Sequence, residues 1–243
     1  MQYSIFAALI LVLSSTGWGL QLSELRSMVR LRTRDTTVDV TRQQFSDNTL
    51  NNVLNEAQRD LVNRTWILTA TTTISLASNV RTYALPNDFI AVQRVTLNNV
   101  PITEVTLQGL DQNQTNWTTV SNSTGTSSVQ YYVEHALGGN VLLGLYPLIS
   151  TVSANALLVY YTMQAPEMTS DASIPFNGRP EFYSYHDVLI DYATFIIWAS
   201  QGDLSMAKPY LELYLSKALT MQQNIGKMPN FNPALRGDRG PNR

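Results

Sequence analysis

Few side chains here could do chemistry. The chain holds two histidines, His135 and His186, and no cysteine. Thiolate metal sites, cysteine nucleophiles, disulfide scaffolds and any three-histidine zinc centre are thereby excluded. Glu134-His135 could form a general-base pair, but the alternation before it favours an exposed polar strand terminus. His186-Asp187 falls on a helical stretch with a wide apolar face, where a hydrogen-bonded structural histidine is the favoured reading. Asp187 and Asp191 are four residues apart and share a helix face. With Asp171 they could offer carboxylates to a hard cation, yet no oxygen-rich loop completes such a site. Gly138-Gly139 lacks the Lys-Ser/Thr of a phosphate loop, and no Gly-x-Ser-x-Gly elbow occurs. The expectation is a chain with no catalytic residue, no cofactor and no bound metal.

The remaining chemistry is charge. Arg26, Arg30 and Arg34 form an i, i+4 row, with Arg32 and Arg42 nearby. The row is either a solvated helix face or a surface that meets an acidic partner or passing duplex DNA. Strong DNA affinity is disfavoured, because the formal net charge is −2 and each phosphate contact needs its own cation. Charged residues make up only 14% of the chain, against about 25% in an average soluble protein. Such a surface suits a protein held against neighbours. The aromatic residues Trp66, Tyr83, Tyr131, Tyr132, Tyr160 and Tyr161 sit on alternating stretches and are expected in a core rather than in a base-stacking platform.

Four helices must position these groups. Leu22, Leu25, Met28 and Val29 mark the first, with Ser23 as a candidate cap. Leu50, Val53, Leu54, Ala57 and Leu61 mark the second, capped at Ser46-Asp47. Its polar residues Asn51, Asn55, Gln58 and Arg59 are expected to face away from the apolar stripe. Pro180 opens the third helix, whose apolar face runs from Phe182 through Ile197. Asp203 caps the fourth, which Pro209 should bend or begin. Between the second and third helices, from Trp66 to about Ala165, the period changes to two. Turn signals at Ser78-Asn79, Asn98-Asn99 and Gly138-Gly139-Asn140 separate at least six short strands. Asp111–Ser128 is polar and predicted to be a loop. The predicted fold is α+β, with four parts. Residues 1–19 form an apolar N-terminal arm. Residues 20–65 and 178–226 form one helical bundle. Residues 66–165 form an inserted antiparallel β-sandwich or barrel. Residues 227–243 form an extended tail.

That tail carries four cations against one carboxylate and three prolines, so it cannot fold alone. The nine-residue run Ile5–Leu13 is too short for a membrane span, which needs about 20 apolar residues. It resembles a signal-peptide core followed by small residues, but the favoured reading is an arm buried against a neighbouring subunit. With four Asn-x-Thr sequons, the signal-like reading supports a second function class, a secreted or cell-envelope β-rich adhesin or binding protein.

The order of several motifs carries a resemblance. Leu22–Arg30 (LSELRSMVR) is followed by Asp47–Arg59 (DNTLNNVLNEAQR), Tyr83–Phe89 (YALPNDF), Leu145–Pro147 and Ile174–Phe176. This arrangement, from Leu22 to about Gly226, resembles the head-to-tail adaptor (connector) proteins of tailed bacteriophages, especially the larger type with a β-insertion. The resemblance implies a structural virion protein of the neck, assembled in the host cytoplasm and not a membrane protein in its mature role. It implies a ring of twelve copies beneath the portal protein, a tail nozzle or tube protein below, and double-stranded DNA passing non-specifically through the channel to be retained and ejected. It also implies that the tail docks on the portal, through Phe231, Pro233 and Leu235 as apolar contacts and Arg236 and Arg239 as ionic ones. Arg26, Arg30 and Arg34 would face a partner or the channel. Residues 1–19 depart from the family pattern, whose members usually begin near Leu22.

Overall fold

A computed structural model describes residues 19–37, 43–113, 116–119, 121–122, 129–136, 139–150 and 157–225. The fold is α+β and divides into two compact units. One comprises Met1–Thr65 and Ala165–Met221. The other comprises Trp66–Gln164 together with Gln222–Arg243.

The first unit is helical. Helix α1 (Leu22–Thr33) starts two residues earlier than a Ser23 cap would place it. Gln21 is the cap, and the Glu24 carboxylate accepts its backbone N–H at 2.8 Å. Arg34 ends the helix in the left-handed region (φ 61°), returning its N–H to the carbonyls of Arg30 and Leu31. Helix α2 (Asp47–Thr65) is capped by Ser46, whose hydroxyl accepts the Thr49 N–H at 3.1 Å. Four members of its predicted stripe, Leu50, Leu54, Ala57 and Leu61, are buried, and the fifth, Val53, is half-buried. Asn55 and Gln58 depart from expectation: both are buried too.

Pro180 opens a 3-10 turn, Pro180–Tyr185, and the next α-helix in this unit starts at His186. This helix (His186–Ser200, labelled α4 in chain order) is buried almost all round. Helices α1 and α2 both pack on it. Thr194 satisfies its hydroxyl within the helix by donating to the Ile190 carbonyl at 2.7 Å, whereas His186 Nε2 and Trp198 Nε1 are buried with no hydrogen-bond partner among the described residues. Helix α5 (Leu204–Ile225) is capped by Asp203, which accepts the Met206 N–H at 3.0 Å. Pro209 lies inside α5 rather than at its start.

The second unit is built on β1 (Thr69–Ile74), β2 (Thr82–Ala84), β3 (Phe89–Leu97), β4 (Val100–Glu104), α3 (Leu107–Asn113), β5 (Ser121–Asn122), β6 (Gln130–His135), β7 (Val141–Tyr146), β8 (Leu148–Ile149) and β9 (Leu157–Met163). Seven strands form one curled sheet in the order β1-β9-β3-β4-β6-β7-β2, and β5 pairs with β8 separately. The expected hairpins are present. Asn98 and Asn99 both take positive φ at the β3–β4 tip, the conformation a two-residue turn requires.

The purely antiparallel sheet expected from the alternation is corrected. Strands β4 and β6 run parallel, Thr103 opposite Gln130 and Glu104 opposite Tyr131. A parallel neighbour needs a long crossover, and residues 105–129 supply it. The predicted loop Asp111–Ser128 is also corrected, because α3 covers Asp111–Asn113 and β5 covers Ser121–Asn122. One core cluster gathers Tyr83, Val95, Leu97, Tyr131, Leu143, Leu145, Val159 and Tyr161, among others. The aromatic residues are therefore mostly core, as expected. Tyr160 is half-buried, with Arg94 over its ring at 5.6 Å.

Candidate functional site

The arginine row of α1 has acidic partners within the chain. Arg26 donates to Asp171 at 2.6 Å and to the Asn51 amide oxygen at 3.3 Å, and lies 3.6 Å from Asp47. Arg30 bridges Asp35 at 2.6 Å and Asp47 at 2.7 Å. The hydrogen bond from Arg30 holds the Asp47 carboxyl below its ordinary range. Asp35 is buried and also accepts the backbone N–H groups of Gln44 (2.9 Å) and Phe45 (3.3 Å). The row thus alternates with carboxylates from three separate segments. A buried carboxylate needs such multiple donors to be tolerated. Arg34 is exposed at the helix end. The structure therefore does not bring Arg26, Arg30 and Arg34 together as one solvent-facing row. Arg42 lies outside the described residues.

A second ionic cluster centres on Asp191, which is fully buried. Arg32 and Lys217 both donate to it, the latter at 2.7 Å, and Lys217 also reaches Asp187. Burial pulls the Lys217 ammonium down, but its bonds to Asp187 and Asp191 outweigh this and raise it on balance. Asp187 and Asp191 do converge on one cation, as their spacing suggested. That cation is the lysine ammonium of α5. Asp171 is engaged elsewhere, with Arg26. Among the described residues, no group of three or more His, Cys, Asp or Glu side chains is placed to hold a metal ion.

His186 is fully buried, with Nδ1 accepting the Leu20 N–H at 3.0 Å and the rings of Tyr183 and Phe176 packed 5.4 and 5.9 Å away. Burial pushes its pKa down to about 4, against a smaller opposing effect of Asp187. It is the structural histidine that the apolar face implied. A Cβ on Gly19 would lie 2.5 Å from Tyr183 and 2.9 Å from His186. The small residue there thus has a packing role. His135 is exposed at the end of β6 beside half-buried Glu134.

Two residues that the helical pattern concealed organise the segment after β9. Gln58 donates to the Pro166 carbonyl at 2.7 Å and accepts the Phe176 N–H at 2.7 Å. Asn55 pairs in the same way with Met168. Phe176 is buried with φ 55°, a costly conformation for a bulky residue, and the Gln58 bond helps to hold it.

In the sheet unit, Arg81 lies over Trp117 at 5.1 Å, and Trp117 meets Tyr132 edge-on at 5.6 Å. Asp111 accepts the Trp117 indole N–H at 2.7 Å. These contacts pin part of the polar crossover onto β6. The proposed docking residues Phe231, Pro233, Leu235, Arg236 and Arg239, like residues 1–18, lie outside the described residues. No described helix is long and apolar enough to cross a membrane.

The arrangement holds ionic groups in pairs and aromatic groups in packing, a construction suited to a scaffold. A family model described as SU10 adaptor protein matches residues 20–237. No curated protein matches the chain.

Proposed function

Because the chain belongs to the SU10 adaptor protein family, we propose that it is the structural ring that joins the portal of a phage capsid to the tail. In this reading, copies of the chain, twelve for a dodecameric ring, continue the DNA channel below the portal. They meet a nozzle or tube protein beneath and act in genome retention and ejection from the virion neck. The observation that carries it is the extent of the match, which runs through both units and most of the C-terminal segment. The helical unit then serves as a bundle forming the ring wall. The sheet unit, inserted in the sequence between its helices, carries the contacts to tail components.

Residues 227–243 are the portal-docking arm in this reading. Phe231, Pro233 and Leu235 would bury apolar surface, and Arg236 and Arg239 would pair with acidic groups. Segments of this composition order on a partner. Of the α1 cations we assign the partner- or channel-facing role to Arg34, since Arg26 and Arg30 have carboxylates within their own chain. DNA contact stays weak at a formal net charge of −2, since each phosphate contact needs its own cation.

The test is joining in vitro. The full chain, mixed with the portal protein of its own phage, should form a ring on the portal visible by negative-stain electron microscopy. Deleting residues 228–243 should leave a folded chain that no longer binds. Binding that survives the deletion removes the docking role, and failure of the full chain to bind removes the adaptor reading.

A further inference from the structure

Helix α5 carries four different faces along its length. At about 100° per residue, Ala207, Tyr214, Ala218 and Met221 fall along one line and are buried. Opposite them, Ser205, Glu212 and Ser216 are polar and exposed. The two faces between each carry exposed apolar side chains, with a polar one among them, Lys208 on one and Thr220 on the other. One holds Leu204, Leu211, Leu215 and Leu219, with Leu204 69% and Leu219 55% exposed. The other holds Met206 and Leu213, one heptad apart and both exposed. An ordinary surface helix has one apolar arc and one polar arc. Here two apolar flanks lie on opposite sides of the same helix, and both are uncovered.

We infer that these flanks are the two halves of one head-to-tail contact between copies of this chain, the Leu204–Leu219 flank of one copy covering Met206 and Leu213 of the next. The inference rests on the adaptor reading and deepens it. Exposed apolar rows of this kind mark interaction surfaces. A single foreign partner covers one flank and leaves the other wet. A two-fold dimer pairs a flank with itself and does the same. A heterologous repeat covers both flanks with one kind of contact, and it can close into a ring. The polar face, carrying Ser205, Glu212 and Ser216, then points away from the helix's own unit, between two neighbours.

The chain has no cysteine, so engineered thiols are unique. Full-length Leu213→Cys and Leu215→Cys variants are treated with a short bis-maleimide, separately and mixed. The mixture should give dimers and each variant alone few. A chain carrying both substitutions should give a ladder of multimers, and a control on the polar face, Ser216→Cys, should not. Equal yield from Leu215→Cys alone and from the mixture, or no ladder from the double variant, overturns the inference. Leu219→Glu should abolish assembly with the circular dichroism and melting of the monomer unchanged; intact assembly also overturns it. Binding of the unmodified chain to its portal is scored in parallel. If the portal is bound and a ring forms without the ladder, the flank contact is refuted and the adaptor reading stands. If the portal is not bound, the adaptor reading itself fails.

Discussion

Asn55 and Met168, 113 residues apart, hold each other through both ends of one side-chain amide. Asn55 Nδ2 donates to the Met168 carbonyl at 3.1 Å, and Oδ1 accepts the Met168 N–H at 2.8 Å. Both residues are buried, so water cannot replace either bond. Asn55→Ala should therefore leave two backbone groups unsatisfied and cost about 2–4 kcal/mol. Asn55→Asp keeps the acceptor but sets a buried carboxylate against the Met168 carbonyl, and should cost at least as much at neutral pH. Asn51→Ala, which loses one 3.3 Å bond from Arg26, should cost under about 1 kcal/mol. Urea unfolding measures all three, and similar losses at positions 51 and 55 would contradict the clasp.

Leu54 is fully buried on α2, whereas Leu31 on α1 is 57% exposed. Leu54→Ala should cost about 2–5 kcal/mol by lost burial and the cavity left behind. Leu31→Ala should change the stability of the monomer by less than about 0.5 kcal/mol. Chemical denaturation of the two variants checks the helix faces directly.

Gly144 and Tyr132 are cross-strand partners in the β6–β7 hairpin. A Cβ at position 144 would overlap the Tyr132 ring. That ring occupies the space a side chain would need, and Trp117 packs on it in turn. Gly144→Ala should cost about 1–3 kcal/mol through overpacking. Adding Tyr132→Ala should make the alanine at 144 far less costly than it is alone. A double-mutant cycle reads this coupling, and strictly additive losses would show that the ring does not depend on the glycine.

His186 predicts a pH dependence. Its folded pKa is pushed down to about 4 by burial, while the unfolded value is near 6.5. Between these values the unfolded chain binds a proton that the folded chain does not. Stability should therefore be full above about pH 6.5 and fall as the pH drops toward 4. The loss should be on the order of 3 kcal/mol. Other carboxylates titrate nearby, so the readout is a difference. The stability gap between wild type and His186→Gln should narrow on acidification from pH 7 to 4.5. A constant gap would mean that His186 titrates alike in both states.

Local periodicity made much of this fold legible. Leu50, Leu54, Ala57 and Leu61 repeat at helical spacing because a helix buries one stripe, and Asn98-Asn99 supplies the positive φ that a tight hairpin needs. The buried fate of Asn55 and Gln58 was not legible. Polar residues off the stripe suggest solvent, and the backbone they bind lies more than a hundred residues away. Arg26 and Arg30 misled for the same reason, since Asp171, Asp47 and Asp35 come from separate segments. The shared face of Asp187 and Asp191 was evident from spacing, but Lys217 as their common partner was not. Alternation indicates that a strand exists without giving its direction, so the parallel β4–β6 pair escaped. Helix α3 has seven residues, and among its described side chains one, Leu110, is fully buried, too few for a helical period to emerge.

Thr69 in β1 stands opposite Thr162 in β9, and the Met163 N–H returns to the Leu68 carbonyl at 2.9 Å. The long excursion between them thus leaves and re-enters the chain at adjacent points. For a lineage exchanging genes by recombination, that geometry defines a cassette. Crossovers just before β1 and just after β9 can swap the whole segment for another whose ends meet at one strand spacing, without altering the gap that the flanking chain must span. The recipient then changes what it displays while keeping its helices. Sequence variation among members of the adaptor family should concentrate between those two crossover points.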